Sequence, residues 1–226
     1  MCLYSTDSAR SLSSRPDCLP LSVRALKKKH ERPKPIRDWL RQPVIPVVHE
    51  DEADPALLAD ASLIFLQGIQ LAQLSECMAR LRTGPTAHTP VILHLDLLAG
   101  LSSDVAGLEY LAGLQMVDGI ITVRSHLVAA ARRFGLVSIL LVFLQDGRSV
   151  ERGQHVIEQS RPDAIELVPG VAALHEIRQF RALPMPLIAG GLIRTPDLAR
   201  QLLAEGFRAV STSAAHVWGL NREARS

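Results

Sequence analysis

From Val44 onward the chain alternates short, nearly continuous apolar runs with longer stretches whose apolar residues recur at helical spacing. The runs cover residues 44–48, 63–66, 91–96, 119–123, 137–143, 164–168, 187–189 and 209–212. Strands buried on both faces read this way, because neither face carries solvent-facing side chains. Between them, residues 71–81, 105–114, 127–134, 149–159, 171–181 and 196–205 read as amphipathic helices. End signals agree with that reading. Thr195 precedes Pro196 as a cap before a first-turn proline, and Gly206 stands just past a last turn. Eight strand–helix units in one run predict an α/β fold, a single (β/α)8 TIM barrel spanning residues 42–226. That is short for such a barrel, so several loops and the first helix must be short. No internal repeat is evident.

Residues 1–41 break the pattern. Ser, Arg and Pro dominate their start, and a basic cluster over 24–41 is interrupted by Pro33 and Pro35. A segment so poor in apolar residues does not offset its ordering entropy by burial, which predicts a disordered basic tail. It reads either as an arm that touches RNA or as a solvated tail without function.

Charge sharpens the division. The net charge is +2 overall, yet residues 1–41 carry ten Lys or Arg against four Asp or Glu, and the remainder fifteen against nineteen. The four lysines, Lys27, Lys28, Lys29 and Lys34, all precede the barrel. Schiff-base and lysine general-base chemistry is thereby excluded from residues 42–226. Any nucleic-acid footprint there must be a local arginine patch. Cys2, Cys18 and Cys77 are scattered and odd in number, which suits a reducing cytoplasm and offers neither a disulfide framework nor a metal site. No apolar run is long enough to cross a bilayer, and the start lacks a signal-peptide architecture.

In a TIM barrel the chemistry gathers at the strand C-terminal ends, and the loops after strands seven and eight form the usual phosphate cup. Strand seven ends in Ala189-Gly190-Gly191-Leu192-Ile193-Arg194-Thr195, and strand eight in Ser211-Thr212-Ser213. Glycines let backbone N–H groups approach phosphate oxygens, and a helix N-terminus adds partial positive charge. The bland alternative is a tight turn at Gly190-Gly191. Strand three ends in His94-Leu95-Asp96; spaced two apart, His94 and Asp96 are expected to share a strand face, where they could bind a ligand, share a proton or hold a metal, although two ligands do not make a metal site. An interior histidine with satisfied hydrogen bonds is the alternative. Arg124, after strand four, is a fork-shaped anion partner, with Ser125 expected to cap the next helix. Glu166, flanked by apolar residues in strand six, is expensive unless paired, and so is the strongest single polar-site candidate. A structural ion pair is its alternative. Asp146 fits a turn with Gly147. No nucleophile elbow, Walker loop or dinucleotide fingerprint occurs.

Several motifs line up in order and approximate spacing: His94-Leu95-Asp96-Leu97-Leu98-Ala99-Gly100-Leu101, Gly119-Ile120-Ile121-Thr122, Ile165-Glu166-Leu167-Val168-Pro169-Gly170, the strand-seven segment, and Ser211-Thr212-Ser213. Together they resemble the glycerol-3-phosphate-responsive antiterminator family of bacteria, over about residues 42–218. The resemblance implies a cytoplasmic regulator rather than an enzyme. It implies a TIM barrel that binds glycerol 3-phosphate and acts on the leader of glycerol-utilisation mRNAs, so that transcription passes a terminator. Carried over by position, Gly190, Gly191, Thr212 and Ser213 hold the phosphate. Asp96 and Glu166 meet the glycerol hydroxyls with His94 close by, and Arg124 and Arg194 are further anion contacts. No cofactor or metal is implied.

The chain departs from the family pattern at three places. Ile139-Leu140-Leu141-Val142-Phe143 stands where strand five typically carries a Gln-Arg pair. Val48-His49 stands where an arginine often follows strand one, and Ala214-Ala215-His216 where lysines often follow strand eight. Each change removes a cation. The competing function is a phosphate-handling barrel enzyme, an isomerase or lyase acting on a phosphorylated triose or sugar, with His94, Asp96 and Glu166 as acid–base groups. A third is a phosphometabolite sensor that works through a protein partner. The oligomeric state is open, a homo-oligomer included.

Overall fold

A computed structural model describes residues 35–49 and 54–224. Eight parallel strands close on themselves in sequence order. They are β1 (Val44–Val48), β2 (Ile64–Leu66), β3 (Val91–His94), β4 (Gly119–Thr122), β5 (Val137–Phe143), β6 (Ala164–Val168), β7 (Leu187–Ala189) and β8 (Ala209–Thr212). The ring is shut by β8 on β1, with Val44 opposite Val210 and Ile45 opposite Ser211. Outside it run α2 (Leu71–Leu81), α3 (Val105–Leu114), α4 (Ser125–Arg133), α5 (Gly147–Ser160), α6 (Gly170–Glu176) and α7 (Pro196–Ala204). They follow α1 (Ile36–Trp39), and α8 (Leu220–Glu223) ends the described chain. The sequence-predicted TIM barrel is the observed fold.

Two apolar cores explain why the strands read as continuous runs. Inward residues such as Ile45, Phe65, Ile92, Ile139 and Ile188 fill the barrel. Their outward neighbours, such as Val44, Ile64, Leu93, Leu140 and Leu167, pack under the helices. Nearly every strand position is therefore buried, as an all-parallel sheet covered on both faces requires.

The boundary expected at residue 41 moves toward the N-terminus. Ile36, Trp39 and Leu40 are buried among the barrel-interior residues, so α1 is a plug and not tail. It closes the mouth where strands begin: the Ser62 hydroxyl donates to the Trp39 carbonyl at 2.7 Å, and Arg37 donates to the Pro184 carbonyl just before β7. The charges of Arg37, Asp38 and Arg41 mask this short apolar face in the sequence. The rest of the expected tail lies outside the described residues.

Local departures have local causes. The described part of the β1–β2 connection forms turns rather than a helix; Asp54 accepts from the Ala56 N–H across Pro55, and Leu58 enters the outer core. Strand three stops at His94, and Leu95–Leu97 winds into a 3₁₀ turn. Helix α6 tightens into 3₁₀ geometry at Ile177–Gln179. Ser125 does not cap α4: the cap position is Arg124, whose N–H is accepted by Thr122 Oγ1 at 3.1 Å. Asp146 caps α5 in a reciprocal box with Ser149. Thr195 caps α7 by accepting from the Leu198 N–H. Among the described residues no helix is long and apolar enough to cross a membrane.

Candidate functional site at the strand C-terminal mouth

A cavity of about 590 Å³ opens at the mouth where strands end. Its deeper wall is apolar, from Val47, Phe65, Ile121 and Leu141, with Phe143 above them at the edge. Gly191, Leu192, Ile193 and Arg194 from the β7–α7 loop form one side of its rim. Ser213, Ala214 and His216 after β8 form another. This is where barrel architecture places a phosphate cup.

Glu166 sits at the cavity floor. Period-two alternation turns it inward from the middle of β6, between Leu141 on β5 and Ile188 on β7. Only 5% of it is exposed, and the Ser211 hydroxyl of β8 donates to its Oε1. No cation pairs with it among the described ion pairs. Burial pushes the carboxyl up to about 7, and the Ser211 hydrogen bond only partly opposes that rise. Glu166 is therefore a buried acid poised near neutrality rather than half of a structural ion pair.

The two glycines of strand seven have different physical reasons. Gly190 has no Cβ because Glu166 and Ser211 occupy the space where one would go. Gly191 has φ +71°, and Leu192 follows at φ +58°. These two left-handed residues swing the loop over the cavity, and Gly191 is the glycine that lines it. Gly190 does not line the cavity; it makes room for the carboxyl beneath it.

The strand-eight hydroxyls likewise divide. Thr212 Oγ1 donates to the Ile193 carbonyl at 2.6 Å and accepts from the Ala214 N–H at 3.0 Å. Its own carbonyl accepts from Trp218 Nε1 at 2.8 Å. Thr212 thus ties the two rim loops together. His216 Nε2 adds a second tie to the Arg194 carbonyl at 2.8 Å. Ser213 is exposed on the rim. Arg194 is the one arginine lining the cavity among the described residues, and its side chain is in none of the described ion pairs.

His94 reaches the cavity from the end of β3. Burial lowers its pKa, outweighing the opposing field of Asp96, and its Nδ1 is buried without a hydrogen-bond partner. Asp96 does not share its face, because the chain leaves strand geometry after His94. The Asp96 carboxylate instead accepts from the Val123 N–H at 2.8 Å and pairs with Arg124 Nε at 3.2 Å. Arg124 also donates to the Ser103 carbonyl at 2.9 Å. Neither Asp96 nor Arg124 lines the cavity; they fasten the β3 and β4 ends to each other.

The motif reading names Ser211 and His216 but gives neither a role. Ser211 was legible, since it lies two residues after Ala209, which faces the barrel interior, and so shares that inward face. His216 had no such signal, because its contact with the loop depends on the 3₁₀ turn Ala215–Val217. Among the described residues there is no group of three or more His, Cys, Asp or Glu suited to a metal ion.

Comparison with known proteins places this geometry. The uncharacterized protein YgcP of Escherichia coli (strain K12) is 31% identical over 198 residues, which cover 84% of this chain and 98% of that one. The glycerol uptake operon antiterminator regulatory protein of Listeria monocytogenes superposes with a TM-score of 0.70 at 30% identity, over 79% of this chain and 95% of its own. A glycerol uptake operon antiterminator-related protein of Thermotoga maritima does so with 0.68 at 25%, over 78% and 98%. A family model matches residues 44–218, from β1 through the Trp218 that anchors the rim, and by that match the chain belongs to the glycerol-3-phosphate responsive antiterminator family.

Proposed function

We propose that the cavity binds glycerol 3-phosphate and that the loaded chain acts in the cytoplasm as an RNA-binding antiterminator. It would act on the leader of glycerol-utilisation mRNAs. One observation carries the ligand assignment. A buried, cation-free carboxyl at the cavity floor lies beneath a rim bearing a left-handed glycine turn and the unpaired arginine Arg194. A ligand with an anionic end and hydroxyls at the other satisfies both. The phosphate goes to Gly191, Arg194 and Ser213, and a glycerol hydroxyl to Glu166, with the neutral imidazole of His94 beside it. Gly190 and Thr212 hold the frame on which those contacts are built.

Calorimetric titration with glycerol 3-phosphate tests this, with glycerol and inorganic phosphate as controls. Binding well above both controls is expected. Equal heats for phosphate and glycerol 3-phosphate would remove Glu166 from ligand recognition. No heat at all would remove the ligand assignment.

One feature favours a second reading. A carboxyl pushed up to about 7 in a cavity that His94 also lines suits acid–base catalysis on a phosphorylated triose or sugar. Glu166→Gln separates the two, since an isomerase or lyase would lose turnover while keeping its ligand.

A further inference from the structure

The charges of the described residues differ between the two ends of the barrel. Around the ligand mouth, charges of both signs mix: exposed Asp54, Asp104, Asp146 and Asp197 stand beside exposed Arg148, Arg194 and Arg200, Asp197 is paired with Arg200, and Asp96 is paired with Arg124. At the opposite mouth, where helices end and strands begin, an arc of exposed arginines runs from β5 round to β1. Arg132 and Arg133 end α4, and Arg161 follows α5. Arg208 precedes β8, and Arg37 and Arg41 flank the plug helix before β1. Neighbouring members are bridged: Arg132 donates to the Ser160 carbonyl at the end of α5 at 3.1 Å, and Arg37 to the Pro184 carbonyl before β7.

The carboxylates of this arc do not cancel it. Glu205 is paired with Arg181 at 2.8 Å. Asp163 is half-buried and accepts from the Ser138 backbone N–H and hydroxyl at 2.8 and 2.9 Å. Asp38 is exposed beside Arg37, Glu158 lies in the last turn of α5 and Glu176 ends α6, so six arginines of the arc face four carboxylates other than the paired Glu205. Helix dipoles account for Arg132 and Arg133, which face the carbonyl end of α4. They do not account for Arg41 and Arg208, which sit in the connections before β1 and β8. The chain also enters the barrel here: residues 1–34, with eight Lys or Arg against three Asp or Glu, join at Pro35.

We infer that this N-terminal mouth is the surface that contacts RNA, so that RNA and the small ligand occupy opposite ends of the barrel. The inference rests on the RNA-binding reading above and assigns it a place. Guanidinium forks suit the phosphates of an RNA backbone, and phosphate contacts position an RNA without reading its sequence. Ligand and RNA do not compete for one site, and any effect of one on the other is a reciprocal coupling between distinct sites.

The test is filter binding of a labelled glycerol-utilisation leader transcript by the full chain, with glycerol 3-phosphate present, over a salt series. The triple variant Arg41→Gln, Arg133→Gln, Arg208→Gln removes three cations from exposed positions. The expected result is a slope of log affinity against log salt reduced by about 2, and binding weakened on the order of 10- to 100-fold at ~0.15 M salt. Arg148→Gln, at the ligand-mouth end of α5, should leave RNA binding unchanged, and calorimetric ligand binding by the triple variant should match wild type. Wild-type RNA affinity in the triple variant would overturn this face and leave the RNA reading standing. No RNA binding by the wild-type chain would overturn both. Capture by phosphatidylglycerol vesicles in place of RNA, lost in the triple variant, would give the face to a lipid surface and overturn the assignment.

Discussion

A Cβ added at Gly190 would stand 2.3 Å from Glu166 Oε1 and 2.6 Å from Ser211 Oγ. The glycine and the carboxyl are therefore one feature, an acid buried in a barrel interior and a vacancy that admits it. Gly190→Ala should destabilise the fold by about 1–3 kcal/mol through overpacking. Gly191→Ala should cost about 1–2 kcal/mol for a different reason, its φ of +71°; its nearest neighbour would be 3.6 Å away. Urea unfolding tells the two apart in a double-mutant cycle with Glu166→Ala. The Gly190 change should couple strongly to it and the Gly191 change should add. Additivity at Gly190 would contradict the steric account.

The same carboxyl makes stability depend on pH. Glu166 titrates near 4.5 when unfolded and about 7 when folded. Below about pH 4.5 both states hold the proton and burial of the acid costs nothing by ionisation. Between 4.5 and 7 the folded chain binds more protons than the unfolded one, so stability falls as pH rises. Above 7 the loss is complete, on the order of 3 kcal/mol. Glu166→Gln abolishes that slope. The variant's stability relative to wild type should rise from pH 4.5 to about 7 and then level off, read from denaturant midpoints. His94 also titrates, with its pKa lowered, but it is common to both proteins and drops out of the difference. A constant difference across pH would mean that Glu166 ionises in the fold as it does in water.

The barrel was legible because its strands are buried on both faces, which leaves short continuous apolar runs that recur in regular alternation with amphipathic helical stretches. The site was legible only where a side chain's direction follows from strand period. Glu166 obeyed that rule, and so did Ser211. Asp96 broke it because the backbone turns into 3₁₀ geometry one residue after His94, an event with no marker in the local sequence. The plug helix was hidden for another reason. Ile36, Trp39 and Leu40 are too few to make a period, and their burial depends on a barrel mouth formed by residues far along the chain.

The two arginines once grouped as anion contacts should now behave differently. Arg194 lines the cavity and enters no described ion pair, so Arg194→Gln should weaken glycerol 3-phosphate binding on the order of 10- to 100-fold, the usual value of a charged hydrogen bond. Plain glycerol should be unaffected. Arg124 is held by Asp96 and the Ser103 carbonyl outside the cavity. Arg124→Gln should leave ligand affinity within a factor of about two, because the exposed pair it breaks contributes at most about 1 kcal/mol to stability. Calorimetry on both variants decides it, and equal losses would mean that the β4 turn reaches the ligand.

Where the chain is cut should matter by only a few residues. Removing 1–34 takes away basic sequence and leaves the plug, so the shortened chain should melt like the full one and keep its ligand affinity. Removing 1–41 also takes Ile36, Trp39 and Leu40, which are 4%, 8% and 1% exposed. Losing one large core side chain costs about 2–5 kcal/mol, and losing three approaches the whole stability of a domain. The longer deletion should therefore unfold or aggregate, and any loss of RNA binding it shows would report on the barrel as much as on the basic segment. Thermal melts of both truncations, read beside the full chain, check this. A longer truncation that melts normally would detach α1 from the core. With that melt in hand, RNA binding by the 35–226 chain measures what the arginine face contributes without the eight upstream cations.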